Sequence, residues 1–176
     1  FASSIAGAQT VVELVPSGRT DWEAELVVVV GLRAHRIEPG TGWDHVAGLT
    51  VGQDLSERTT QLQGPAPQFG LGKSFPGYSP QGPWLVTPDE LLRRDDLAIR
   101  GELDGEVVQD GRTSQMIFGV PALIEKLAEI VVLHPGDVIY SGTPAGVGYR
   151  RNPAVSIKPG QTLVSTIEGI GVIRQT

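Results

Sequence analysis

Asp21-Trp-Glu-Ala-Glu-Leu-Val-Val-Val-Val30 is an acidic alternation that runs straight into an apolar stretch. Side chains alternate along a strand, so Glu23 and Glu25 leave it on one face, side by side. Val27 to Val30 read as buried strand, which puts the pair at the mouth of a core. Like charges that close repel and raise each other's pKa unless a cation lies between them. A hard divalent ion of the Mg²⁺ or Mn²⁺ class would relieve the repulsion and suits all-oxygen ligands. An exposed edge strand with two solvated glutamates is the plainer reading of the same ten residues.

Asp54 adds a third acid, in Val51-Gly-Gln-Asp-Leu-Ser-Glu-Arg58 after the apolar stretch Val46–Val51. A strand end carrying Asp brings a carboxylate into a shared site. Two glutamates and an aspartate would leave about half of an octahedral shell for water and substrate, the usual state of a catalytic Mg²⁺ site.

The chain as a whole narrows the classes. Its 176 residues suffice for one domain with a substantial core, and 40% hydrophobic against 19% charged residues suits a globular protein. A net charge of −6 without a Lys/Arg cluster argues against a nucleic-acid partner. The absence of cysteine excludes a disulfide scaffold, thiol chemistry and Cys-ligated zinc. No apolar run reaches transmembrane length and no signal peptide is visible, so no membrane association and a cytoplasmic location are expected.

With 23 Gly and 13 Pro, the punctuation is close and the segments between are short, which predicts a β-rich α+β domain. Strands are predicted at Val11–Leu14, Glu25–Val30, Ala47–Gln53, Trp84–Thr87, Ala98–Leu103, Glu106–Asp110, Val138–Ser141, Thr162–Ile167 and Gly171–Arg174. Asp104-Gly105 signals a two-residue hairpin. Helical spacing of Leu123, Ile124, Leu127 and Ala128 behind Pro121 predicts one main helix, Val120–Val131. A shorter helix at Pro88–Leu92 would start from Thr87 as its cap. Gln61–Gly72 has no periodicity and reads as a loop of a length often tied to function or disorder. No repeat or second composition regime appears, so residues 1–176 are expected to form a single catalytic domain.

Seven segments together resemble the catalytic region of the fumarylacetoacetate hydrolase family, in the family's order. They are Thr20–Leu26, Gly52–Arg58 with Gln61, Gly72-Lys-Ser-Phe75, Gly82-Pro-Trp84, Asp104–Gly111, Pro135–Ile139 and Gly142-Thr-Pro-Ala-Gly-Val-Gly148. The resemblance implies a β-rich, mixed-sheet β-roll with one main helix packed outside, and usually a homodimer. It also implies a smaller N-terminal portion preceding Phe1.

For the site, the resemblance implies Glu23, Glu25 and Asp54 as ligands of Mg²⁺ or Mn²⁺, with Ca²⁺ as a possible substitute. Lys73 would enter the site to hold or polarise an oxyanion. Its setting, Gly70-Leu-Gly-Lys-Ser74, lacks the glycine spacing of a phosphate loop. Arg58 and Gln61 would hold substrate carboxylate and keto oxygens, with a structural salt bridge as the alternative for Arg58. Gln53 stands where the family usually has Asn, and Glu57 and Thr59 depart from its Ala and Asp. Thr143 would offer a hydroxyl and a backbone N–H to a substrate carboxylate, or else be a plain turn residue. His35, His45 and His134 form no cluster and read as surface or turn residues. The His–Glu pair by which hydrolytic members activate water lies, in most of them, on a lid upstream of this region.

The expected activity is metal-dependent chemistry on a small 2-oxo or 2,4-dioxo acid through an enolate. Hydrolysis, isomerisation and decarboxylation share that intermediate, and the similar branches are the hydroxyheptadienedioate isomerases and acylpyruvases of aromatic catabolism. An oxaloacetate decarboxylase type belongs to the same set. A non-catalytic carboxylate-binding member that keeps fold and metal site is the alternative from another class.

Overall fold

The Val27–Val30 run becomes an interior strand of a sheet because it is apolar on both faces and therefore needs cover on both. In the computed structural model, which describes residues 1–176, it lies in β4 (Ala24–Val30), where only Val29 is not fully buried. The elements before it are short: β1 (Ile5–Ala6), β2 (Gln9–Thr10) and β3 (Thr20–Asp21). After it come β5 (Val46–Gln53), β6 (Ser56–Glu57), two single-turn helices α1 (Arg58–Gln61) and α2 (Phe69–Gly72), and β7 (Ser79–Val86). The second half holds β8 (Ala98–Leu103), β9 (Glu106–Arg112), α3 (Val120–Ile130), β10 (Val138–Tyr140), β11 (Leu163–Ile167) and β12 (Gly171–Gln175).

Two five-stranded sheets form, in the orders β1-β7-β5-β4-β10 and β2-β12-β11-β8-β9, with β3 and β6 as a separate pair. Both large sheets are mixed: β1 with β7 and β12 with β2 run parallel, and the other pairs antiparallel. The main core lies between the sheets. Leu26, Val28, Val30, Leu49 and Val51 of the first meet Ile99, Ile167 and Ile173 of the second. Each such side chain contributes roughly 1.5–3 kcal/mol on burial. Helix α3 covers one end of this core with Val120, Ile124 and Ala128, spaced four apart on one face. A second cluster of Trp22, Leu55, Tyr78, Leu103, Val108 and Leu163 lies toward the end where the acidic residues emerge.

The β-rich, mixed-sheet architecture with one main helix is the predicted one. Asp104 and Gly105 both have positive φ, as a tight hairpin between β8 and β9 demands. Gly52 is required for packing: a Cβ there would lie 2.3 Å from Val27 Cγ2 and 2.8 Å from the Tyr140 ring.

Several local expectations need correction. Val11–Leu14 is not a strand; the sheet edge ends at Thr10, and Val11 beyond it is exposed. Pro88–Leu92 shrinks to a single 3₁₀ turn, Pro88–Glu90, without a side-chain cap from Thr87. The strand predicted at Trp84–Thr87 starts five residues earlier, at Ser79, because Pro80 and Pro83 are tolerated where β7 has only the two-residue β1 beyond it. Gln61–Gly72 is not one loop. It runs from the last residue of α1 to the end of α2, and single turns are too short to show periodicity.

Candidate metal centre and substrate site

Antiparallel pairing of β4 and β5 creates the acidic cluster. Ala24 stands opposite Gln53 and Glu25 opposite Gly52, and the Asp54 N–H donates to the Glu23 carbonyl at 2.9 Å. Glu23, Glu25 and Asp54 each bring a carboxylate oxygen to within 4.8 Å of the others. Glu25 is buried at 3% exposure, and its Oε2 accepts the Gly142 N–H at 2.8 Å.

Two cations face the three acids. Lys73 Nζ donates to Glu23 Oε2 at 2.8 Å and to Asp54 Oδ2 at 2.5 Å. Arg58 Nη2 donates to Glu23 Oε1 at 2.7 Å, its Nε to Asp21 Oδ1 at 2.6 Å and its Nη1 to Gln61 Oε1 at 2.8 Å. Asp21 is completely buried and also accepts the Tyr149 N–H. It comes alongside Arg58 because β3 pairs with β6, setting Asp21 opposite Ser56. Counting Asp21, four carboxylates share two cations.

Burial is the largest influence on the carboxyl groups of Glu25, Asp54 and Asp21. Burial, and then repulsion from Asp54, pushes the Glu25 carboxyl up to about 8. Burial likewise raises Asp54, against the attraction of Lys73, and Asp21, against its bond to Arg58. Lys73 moves up despite its own burial, because Asp54 and Glu23 hold its charged form. Three carboxylates grouped in this way could hold a metal ion.

Of the candidate residues, Lys73 and Arg58 bond directly to the acids, Gln61 bonds to Arg58, and Thr143 bonds to Ala24 between the two glutamates. Arg58 makes the buried salt bridges that were the alternative reading for it. Gln61 is 1% exposed, and its Nε2 has no partner within the protein, leaving a buried donor unsatisfied. The Thr143 hydroxyl is committed: it donates to the Ala24 carbonyl at 2.9 Å and accepts from Gln109 Nε2 at 2.8 Å. The Thr143 N–H makes no hydrogen bond within the protein. None of the three histidines hydrogen-bonds to the acidic cluster; His45 instead approaches the Leu32 carbonyl, and the His134 N–H donates to Asp137.

Sequence reading gave no role to Asp21, Gln109 or Tyr140, and noted Gln53 only as a departure from the family's Asn. Asp21 was legible inside the quoted motif as a third acid on the same face. Gln53 and Gln109 carry no charge pattern; each accepts a backbone N–H, that of Glu23 and of Ala24 respectively, at 2.9 Å. Tyr140 donates to the Ser79 carbonyl at 2.9 Å, and with Asp54, Lys73 and Ser79 it lines a cavity of about 520 Å³.

Residues 1–176 match the family model for the fumarylacetoacetate hydrolase C-terminal region. The chain belongs to the fumarylacetoacetate hydrolase family. It is 44% identical over 174 residues to the human mitochondrial oxaloacetate tautomerase FAHD2A, covering 98% of this chain and 55% of that protein. The crystal structure of an HpcE-like protein from Mycobacterium smegmatis is 54% identical with a TM-score of 0.96, over 99% of this chain and 64% of the other. That of the 2-hydroxyhepta-2,4-diene-1,7-dioate isomerase from Mycobacterium marinum is 34% identical with a TM-score of 0.87, over 98% and 64%. The chain thus spans about half the length of its curated relatives. No helix is long and apolar enough to cross a membrane.

Proposed function

We propose that this fumarylacetoacetate hydrolase family chain is the catalytic region of a divalent-metal-dependent enzyme acting on a small 2-oxo or 2,4-dioxo acid. The observation that carries the proposal is the convergence of Glu23, Glu25 and Asp54 within 4.8 Å, partly desolvated and faced by Lys73 and Arg58. These three would hold Mg²⁺ or Mn²⁺. When bound, the ion supplies Lewis-acid polarisation of a carboxylate and an adjacent keto oxygen.

The chain's own residues supply the remainder. The Lys73 ammonium, fixed between Glu23 and Asp54, stabilises negative charge as it grows on the enolate oxygen. Paired with both acids, it is an electrostatic group rather than a base. Gln61 offers its unsatisfied Nε2 to a substrate oxygen. The free N–H of Thr143 receives the substrate carboxylate. Arg58, held by Asp21 and Gln61, keeps Glu23 aimed into the cluster.

Proton relocation between keto and enol forms is the reaction favoured here, since the human relative is named an oxaloacetate tautomerase. Hydrolysis and decarboxylation diverge from the same enolate. The test is the rate at which the enol absorbance of oxaloacetate decays with and without Mg²⁺. Acceleration that requires Mg²⁺ supports the proposal. Saturable binding of Mg²⁺ and oxalate without acceleration of any 2-oxo acid would favour a non-catalytic carboxylate-binding member instead.

A further inference from the structure

Gln109 lies on β9, an edge strand of the second sheet, yet it is 1% exposed and spends its whole side-chain amide on the wall of the candidate site. Its Oε1 accepts the Ala24 N–H at 2.9 Å, from the peptide that joins Glu23 to Ala24. Its Nε2 donates to Thr143 Oγ1 at 2.8 Å and to the Pro144 carbonyl at 2.9 Å. The amide orientation is forced, because an N–H on one side demands the oxygen and a carbonyl on the other demands the nitrogen.

The Thr143 hydroxyl closes the circuit by donating to the Ala24 carbonyl at 2.9 Å. One residue later along β4, Glu25 accepts the Gly142 N–H. The Glu23–Glu25 segment and the Gly142–Pro144 loop come from opposite ends of the chain, and these bonds lock them together. Gln109 is the member of the circuit that reaches both from a third element. Gln53 accepts the Glu23 N–H and donates to Ser165, so two successive N–H groups are gripped from two strands. With its hydroxyl used on both sides, Thr143 has its backbone N–H left for an incoming anion.

We infer that Gln109 is a positioning residue that sets where Thr143 presents this N–H, and so governs affinity for the substrate carboxylate. The inference rests on the proposed function for the identity of the anion. Its bonding pattern does not. Removing both Nε2 donors leaves the half-buried Pro144 carbonyl and the Thr143 hydroxyl without the donor that ties them to β9, and the loop is free to shift.

The decisive variant is Gln109→Glu, which keeps an acceptor for Ala24 while removing the two donors to the loop; Gln109→Met serves if the buried acid prevents folding. Oxalate is titrated calorimetrically at saturating Mg²⁺, alongside Mg²⁺ alone and amide hydrogen exchange of residues 142–145. For Gln109→Glu, oxalate affinity should fall by about tenfold or more, with Mg²⁺ affinity within about twofold of wild type. The Gly142 amide, the hydrogen-bonded one of this loop, should exchange faster in either variant. Thr143→Val combined with Gln109→Glu should weaken oxalate no more than the single variant, since both break one circuit. Unchanged exchange in residues 142–145, or unchanged oxalate affinity in a folded variant, overturns the positioning role. Failure of wild type to bind Mg²⁺ overturns the proposed function instead, and the exchange comparison still decides the role of Gln109.

Discussion

The ammonium of Lys73 lies 2.5 Å from an Asp54 carboxylate oxygen, although the two are 19 positions apart and two single-turn helices intervene. Because the same ammonium also reaches Glu23, it sits where negative charge is densest, close to any oxyanion formed at the cluster. Lys73→Met should therefore lower kcat by roughly 10²–10³, the scale of losing a preorganised oxyanion donor, while metal affinity changes far less. Steady-state kinetics beside Mg²⁺ titration calorimetry tests this. Wild-type kcat in the variant would remove the lysine from the mechanism.

Glu25 is the most deeply buried of the three acids, and its one hydrogen bond comes from the Gly142 N–H. Glu25→Gln preserves shape but removes a ligand charge. Mg²⁺-dependent activity and the thermal stabilisation conferred by Mg²⁺ should disappear together, because both depend on the same binding equilibrium. Unaltered Mg²⁺ affinity by calorimetry would exclude Glu25 as a ligand.

The acidic cluster predicts an unusual stability profile for the metal-free protein. With Glu25 pushed from 4.5 up to about 8, the folded state retains a proton that the unfolded chain gives up above about 4.5. Stability from this group is therefore complete below 4.5, declines as pH rises, and levels off beyond about 8. Asp21 and Asp54, both raised, act in the same direction. Glu57 acts oppositely at the acid end. Burial resists its ionisation, but hydrogen bonds from Thr60, from the Arg19 N–H and from the Thr59 N–H prevail and hold it near about 2; its contribution is lost as pH falls from 4.5. In EDTA, Tm should fall between about pH 5 and 8, and Mg²⁺ should restore it most strongly at the upper end. A metal-free Tm that is flat or rising across this range would contradict the charge state assigned to the cluster.

Gly72 allows α2 to lie against α1. A Cβ there would fall 2.7 Å from Gln61 Cβ and 2.9 Å from the Gln61 N and Cα, backbone atoms with little room to retreat. Gly72→Ala should displace Gln61 and raise the dissociation constant for oxalate several-fold while leaving Mg²⁺ affinity near wild type, as calorimetry would register. Equal oxalate affinity in the two proteins would show that Gln61 does not contact the anion.

On the apolar face of α3, Ile124 is fully buried. Ile124→Ala should destabilise the fold by about 2–5 kcal/mol, read from urea unfolding at constant m. A loss below about 1 kcal/mol would mean that the helix is not part of the main core.

The sequence by itself determined the strand at Val27–Val30, the Asp104–Gly105 hairpin, the amphipathic helix behind Pro121 and the shared face of Glu23 and Glu25. Each depends on periodicity or on turn chemistry carried by neighbours in the chain, so each was written locally. Tertiary structure alone decided what surrounds those acids. Lys73 reaches Asp54 only through the packing of two single-turn helices too short to have a period. Asp21 meets Arg58 only through the register of a two-residue strand pair. Gln109 grips Ala24 and Thr143 from a different sheet, and a neutral amide has no charge or spacing by which such a role could be recognised. The Thr143 hydroxyl, a natural candidate for substrate on sequence grounds, is consumed by that same circuit. Hydrogen bonds that join residues 85 and 119 positions apart depend on how the sheets stack, which no local pattern encodes.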